Sequence, residues 1–78
     1  MEYNNAKLQD AVLALLGAFE FDNGRVWKRY DFSVMDDLHK QGLITDPRGH
    51  RESVHLTEAG RLKAKTLAEQ FFGAGSVR

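Results

Sequence analysis

The chain contains no cysteine, a single proline and no net charge, with eleven Lys and Arg residues against eleven Asp and Glu. Without cysteine there is no disulfide scaffold, no thiolate zinc site and no cysteine nucleophile. The charge balance removes the cheapest argument for nucleic-acid binding, a strongly basic chain. Long apolar runs are missing too. The longest, Ala11 to Ala18, is interrupted by Gly17 and falls far short of the ~20 residues of a membrane-spanning helix. The opening Met1-Glu2-Tyr3-Asn4-Asn5 lacks the basic start and apolar stretch of a leader peptide. These features set the expectation of a cytoplasmic protein with no membrane partner.

What is present is enough for one core. At 78 residues and 8.8 kDa, surface scaling gives roughly 12,800 Å² for the unfolded chain and about 4,800 Å² folded. Folding hides about 63 % of the surface by that scaling, which leaves stability marginal. The chain is 42% hydrophobic and 28% charged, outside the disordered range. A single domain over residues 1–78 is expected, without repeats or linkers.

Periodicity divides the chain into elements. Leu8, Ala11, Val12, Leu15, Leu16 and Phe19 recur with helical spacing and predict a helix over 5–19. Asn4 or Asn5 is placed to cap it. Lys7, Gln9, Asp10 and Ala14 fall opposite that stripe. Asn23-Gly24 marks a turn. The next six residues, Arg25 to Tyr30, fit either one helical turn or a short strand.

Asp31 or Ser33 caps a second helix over 32–41 that turns Phe32, Met35 and Leu38 inward, and Gly42 suits its left-handed exit. Leu43-Ile44-Thr45 reads as a strand. The polar tip Asp46-Pro47-Arg48-Gly49-His50-Arg51 and the alternating Glu52-Ser53-Val54-His55-Leu56 complete a hairpin over 43–56. Thr57 caps a last helix over 58–72. On it Gly60, Ala64, Leu67, Ala68 and Phe71 share a face, widened by Ala59 and Leu62. A glycine inside that face costs helix propensity and commonly permits close backbone packing. Gly73 to Ser76 reads as a frayed tail.

Two resemblances follow from these motifs. Leu38-His39-Lys40-Gln41-Gly42-Leu43-Ile44, the turn with Asp46-Pro47-Arg48 and Arg51, and Leu56-Thr57-Glu58-Ala59-Gly60-Arg61 resemble the winged-helix domain of MarR-type bacterial regulators. The resemblance covers Asp31 to about Phe72. It implies an α+β, mostly helical, winged helix-turn-helix-like fold with a two-stranded wing hairpin. It also implies a recognition helix ending at Gly42, and outer helices that join a dimer. The brace helix of that fold would have to come from Arg25 to Tyr30. The whole chain also resembles short bacterial proteins classed as a domain of unknown function. The segments that carry this are Asp10 to Leu16, Trp27-Lys28-Arg29-Tyr30-Asp31, Met35 to Ile44 and Ser53 to Gly60. That likeness implies an intact small domain and no activity.

A recognition helix at Asp31 to Gln41 would send Ser33, Asp36, Asp37 and Lys40 outward. Lys28, Arg29, Lys40, Arg48 and Arg51 are the candidate phosphate ligands of double-stranded DNA, with Ser33 and Asp37 near base edges. Three to five such contacts give a log–log salt slope of about −3 to −4.5. Zero net charge hides an uneven layout. Residues 1–39 hold seven acids and four bases, and residues 40–78 hold four acids and seven bases.

Catalytic readings find little support, so no enzyme activity, cofactor or metal is expected. His39, His50 and His55 are the only histidines, and none is paired at i, i+4 on a helix. Ser33 and Ser53 have no visible base. A homodimer is the partner expectation with most behind it. Phe71 and Phe72 are adjacent and cannot both face one core, and both outer helices are apolar. Leu8, Leu15, Phe71 and Phe72 are the candidate interface. Two functions therefore stand side by side. One is a dimeric DNA-binding transcriptional regulator; the other is a winged-helix module that binds a protein and no DNA.

Overall fold

The structure is a computed structural model and describes residues 3–73. The expected Ala74–Ser76 tail and the first two residues lie outside the described residues.

Three helices and a two-stranded antiparallel sheet follow the order α1 (Asn5–Ala18), β1 (Arg25–Trp27), α2 (Phe32–Lys40), β2 (Ser53–His55) and α3 (Glu58–Phe72). Each helix starts on a side chain that satisfies an otherwise orphaned N–H. Asn4 accepts from the Lys7 amide, Asp31 from the Val34 amide and Thr57 from the Gly60 amide, at 3.0–3.1 Å. These are N-cap bonds, typically worth ~1 kcal/mol each. Between α1 and β1 the chain reverses through Asp22, Asn23 and Gly24, all at positive φ. Phe21 and Arg25 then exchange backbone bonds of 2.8 Å.

Arg25–Trp27 is a strand, the second of the two local readings of that segment. The long-range pairing decides it: Arg25, Val26 and Trp27 stand opposite His55, Val54 and Ser53. No helix is therefore available between α1 and α2 to brace α2. The hairpin after α2 is present but short. Ile44 bridges Leu56, and the Thr45 amide donates to the His55 carbonyl at 2.9 Å. β2 thus has Ile44 on one edge and β1 on the other. The winged-helix-like arrangement comes from this, with the 46–52 tip as the wing.

The entry to α3 is fastened to the exit from α2. Gly42 lies at φ +79, as the left-handed exit requires. Thr57 donates its hydroxyl to the Gly42 carbonyl at 2.6 Å and its amide to the Leu43 carbonyl at 3.0 Å. Gly60 packs directly over the Leu43 carbonyl, where any Cβ would collide with backbone. The Gly-Leu-Ile and Leu-Thr-Glu-Ala-Gly segments are thus two halves of one backbone junction. Gly17 and Ala64 meet where α1 crosses α3, and a Cβ on Gly17 would come within 2.9 Å of the Ala64 Cβ.

The core gathers Leu13, Ala14, Leu16, Val26, Met35, Leu38, Ile44 and Ala64, all at most 2% exposed. This reverses one expectation for α1. Ala14 is buried, while Leu8 and Phe19 are 40% and 65% exposed. Leu15 is half-buried. Ala11 through Phe19 is apolar on every side, so periodicity did not select a face; the crossing at Gly17 does. Phe32 is likewise exposed rather than inward, and Ala59 and Leu62 on α3 point to solvent. Among the described residues no helix is long and apolar enough to cross a membrane.

Candidate functional site

The candidate DNA-contacting residues come from β1's exit, α2 and the wing, and the fold does bring most of them to one side. The acceptors that meet them there were not legible in the spacing. Lys28 leaves β1 and runs beneath the wing. Its ammonium donates to the carbonyls of Pro47 and Gly49 at 2.8 and 2.9 Å. It therefore cross-links the tip to the sheet. Arg29 forms a close ion pair with Glu52, its Nε donating at 2.7 Å to the same carboxylate oxygen that Nη2 meets.

On α2, Asp36 turns toward the wing, and its side chain is only 13% exposed. It takes Lys40 from one turn along the helix at 3.3 Å and Arg48 from the wing at 3.0 Å. Arg48 also meets Asp46 at 3.1 Å, and its guanidinium lies 5.6 Å from the Phe32 ring centroid. The exposed Phe32 thus floors a cation rather than filling the core. Desolvation acts to raise the Asp36 carboxyl, but the hydrogen bond from Lys40 and the charges of Arg48 and Lys40 win. They hold it below the usual carboxylate range. The backbone N–H of Arg48 is the main cause of the same downward shift in Asp46. Arg48 is pushed up by its bond to Asp46 and the charge of Asp36. The three groups form a latch between α2 and the wing.

Asp37, the candidate for base edges, is engaged within the chain. It turns toward α1 and accepts from the Gln9 amide at 3.1 Å, and Gln9 in turn accepts from Gln41 at 2.7 Å. The neighbouring α2 residue Ser33 is exposed. Among the described residues, Arg51 is the one candidate cation that no acceptor engages. The spacing missed Glu52 and Gln9. Glu52 becomes visible only once β1 is paired with β2, because that pairing carries residues 28 and 29 to residue 52 across the sheet.

A hollow of about 380 Å³ lies behind the tip and is lined by Lys28, Asp46, Arg48, His50, Arg51 and His55, among others. His39 instead faces the Ile44 carbonyl at 3.2 Å. Among the described residues no three His, Asp or Glu side chains converge in a way that would hold a metal ion.

The candidate interface residues lie elsewhere. Leu8 and Leu15 are on the side of α1 turned from the core. Phe71 and Phe72 are half-exposed at the end of α3, with ring centroids 5.9 Å apart.

No solved structure matches this chain significantly. It is 38% identical over 72 residues to "Uncharacterized protein y4hR" of Sinorhizobium fredii (strain NBRC 101917 / NGR234), covering 92% of this chain and 97% of that one. The family model that matches is not that of the MarR-type regulators. The likeness to them therefore rests on the α2–wing–α3 segment alone. Residues 4–74 match the model described as a domain of unknown function, DUF6429, and the chain belongs to that family.

Proposed function

We propose that this protein is a winged-helix-like interaction module that engages other protein surface and does not hold DNA through its wing. One observation carries this reading. Of five cations placed to meet phosphate, Lys28, Arg29, Lys40 and Arg48 are engaged by acceptors of the same chain. A DNA phosphate would have to compete with those acceptors, and three of the four cations are already paired with a carboxylate. The aspartates that neutralise Arg48 and Lys40 would then be left facing the duplex. Such a surface has little of the free positive charge that drives non-specific binding. Conversely, large apolar side chains stand uncovered on α1 and α3, as at protein-binding faces.

Fluorescence anisotropy of a labelled random duplex tests the reading. The expected result is no saturation below about 10 µM protein at ~50 mM salt. Binding in the low micromolar range, weakened by Arg48→Ala with Arg51→Ala, would overturn it.

A further inference from the structure

Ala11-Val12-Leu13-Ala14-Leu15-Leu16-Gly17-Ala18-Phe19 contains no polar side chain. At ~100° per residue, that run is apolar all round its helix. Helices of that kind are covered all round, yet this fold covers one side, through Leu13, Ala14 and Leu16. Leu8, Ala11, Leu15 and Phe19, at i, i+3, i+7 and i+11, lie on the other. Next to this stripe a groove of about 500 Å³ runs between α1 and α3, floored by Ala18, Leu62, Ala68 and Phe72 and edged by the charged Glu20, Glu58, Arg61, Lys65 and Glu69. Stripe and groove share α1 and form one apolar face.

We propose that a second copy of this chain covers this face in a two-fold dimer, with α1 crossing its symmetry mate antiparallel. This rests on the interaction reading above and names its partner. Three properties of the face select a second copy. The first is the lack of charge from 11 to 19, so that the stripe itself offers only apolar contact and the charges are confined to the groove beside it. The second is self-complementarity, the condition for an isologous interface. A two-fold axis level with Leu13 and Ala14 sets Leu8 against the partner subunit's Phe19, and Val12 against the partner subunit's Leu15. The large residues then meet on one flank of the crossing. The small Ala11 and Ala18 share the other flank, so the helices approach closely.

The third property is area. Taking ~200 Å² for a fully exposed large side chain, the exposed fractions of Leu8, Phe19, Leu62 and Phe72 amount to about 450 Å². A stable interface buries ~800 Å² per partner. The half-buried Ala11, Val12, Leu15 and Ala68 add to this, and the total is that of a weak, reversible dimer.

Sedimentation equilibrium from about 1 to 500 µM tests the proposal, a range that covers a weak, reversible dimer. The expected result is a monomer–dimer equilibrium. Leu8→Glu with Phe19→Glu, both at exposed positions, should raise Kd roughly 100-fold while circular dichroism stays unchanged. Trp27→Glu with Phe32→Glu alters equally exposed aromatics off this face and should shift Kd less than about 2-fold. As a second readout, Leu15→Cys lies beside the axis in a chain without cysteine. It should oxidise to a linked dimer faster than Trp27→Cys. A one-chain mass at 500 µM, or a dimer that survives the Leu8 and Phe19 changes, would overturn the proposal. A monomer that binds no DNA sinks the dimer alone; a dimer that binds DNA tightly sinks the interaction reading alone.

Discussion

On the wing side of the molecule, Lys28, Arg29, Lys40 and Arg48 all meet acceptors of their own chain. On the α1–α3 side, Leu8, Phe19, Leu62, Phe71 and Phe72 remain 40–67% exposed. The first surface pairs three of its cations with its own carboxylates and holds Lys28 on two carbonyls, and the second leaves its apolar area uncovered. Residue type alone points the other way, since cations in a wing invite phosphate and an apolar helix invites a core. The difference teaches that a side chain's availability depends on what the fold places beside it.

Breaking the junction that holds both surfaces in place should have the largest effect. Gly60→Ala puts a Cβ into the Leu43 carbonyl, and backbone has no rotamer with which to yield. A loss of about 3–5 kcal/mol is expected, a large share of a domain's usual ~5–15 kcal/mol. Urea denaturation measures it, and a loss under about 1 kcal/mol would show that α3 is not anchored there. Gly17→Ala should cost less, about 1–3 kcal/mol. Its Cβ meets the Ala64 side chain 2.9 Å away, and α1 and α3 can separate slightly.

Lys28→Met comes next. It keeps most of the stem and removes the two bonds to the wing carbonyls. About 1 kcal/mol is expected, with faster amide exchange confined to residues 46–52. Exchange spreading to α3 would contradict a purely local clamp.

The smallest effect concerns the latch and its pH dependence. Asp36 and Asp46 are held below the usual carboxylate range in the folded chain. A carboxyl lowered by folding stabilises above its unfolded pKa, and that stability is lost as pH falls through the lower folded value. The wing should therefore stay latched from neutral pH down to about 4 and open below it. Wing amide exchange between pH 2 and 7 shows this, and Asp36→Asn should flatten the profile. Uniform protection down to pH 2 would mean that the latch does not hold the wing.

The sequence made local features legible. Asn4, Asp31 and Thr57 signal helix starts because a cap is formed within three residues of itself, and Gly42 signals an exit because its φ is a local matter. The Gly60 contact was also readable in kind, as a glycine inside an apolar helix face, although its partner Leu43 was not. Features that depend on distant pairing were hidden. β1 acquires its identity from residues 53–55. Arg29 and Lys28 acquire their acceptors 19–23 residues away. The inward face of α1 was hidden for the opposite reason, since an unbroken apolar run carries no phase.

The claim that internal acceptors disarm the wing is tested most directly by freeing its cations. Asp36→Asn with Glu52→Gln releases Arg29 and Lys40 and leaves Arg48 to Asp46 alone, without adding a positive side chain. Duplex DNA anisotropy across a salt series should show no saturable binding below about 10 µM for the unaltered chain. The double variant should bind, with a log–log slope steeper by about 2 units, near 0.9 per released cation. The account is contradicted if the unaltered chain already binds in the low micromolar range with a slope of about −3 to −4.5 and the double variant binds no tighter.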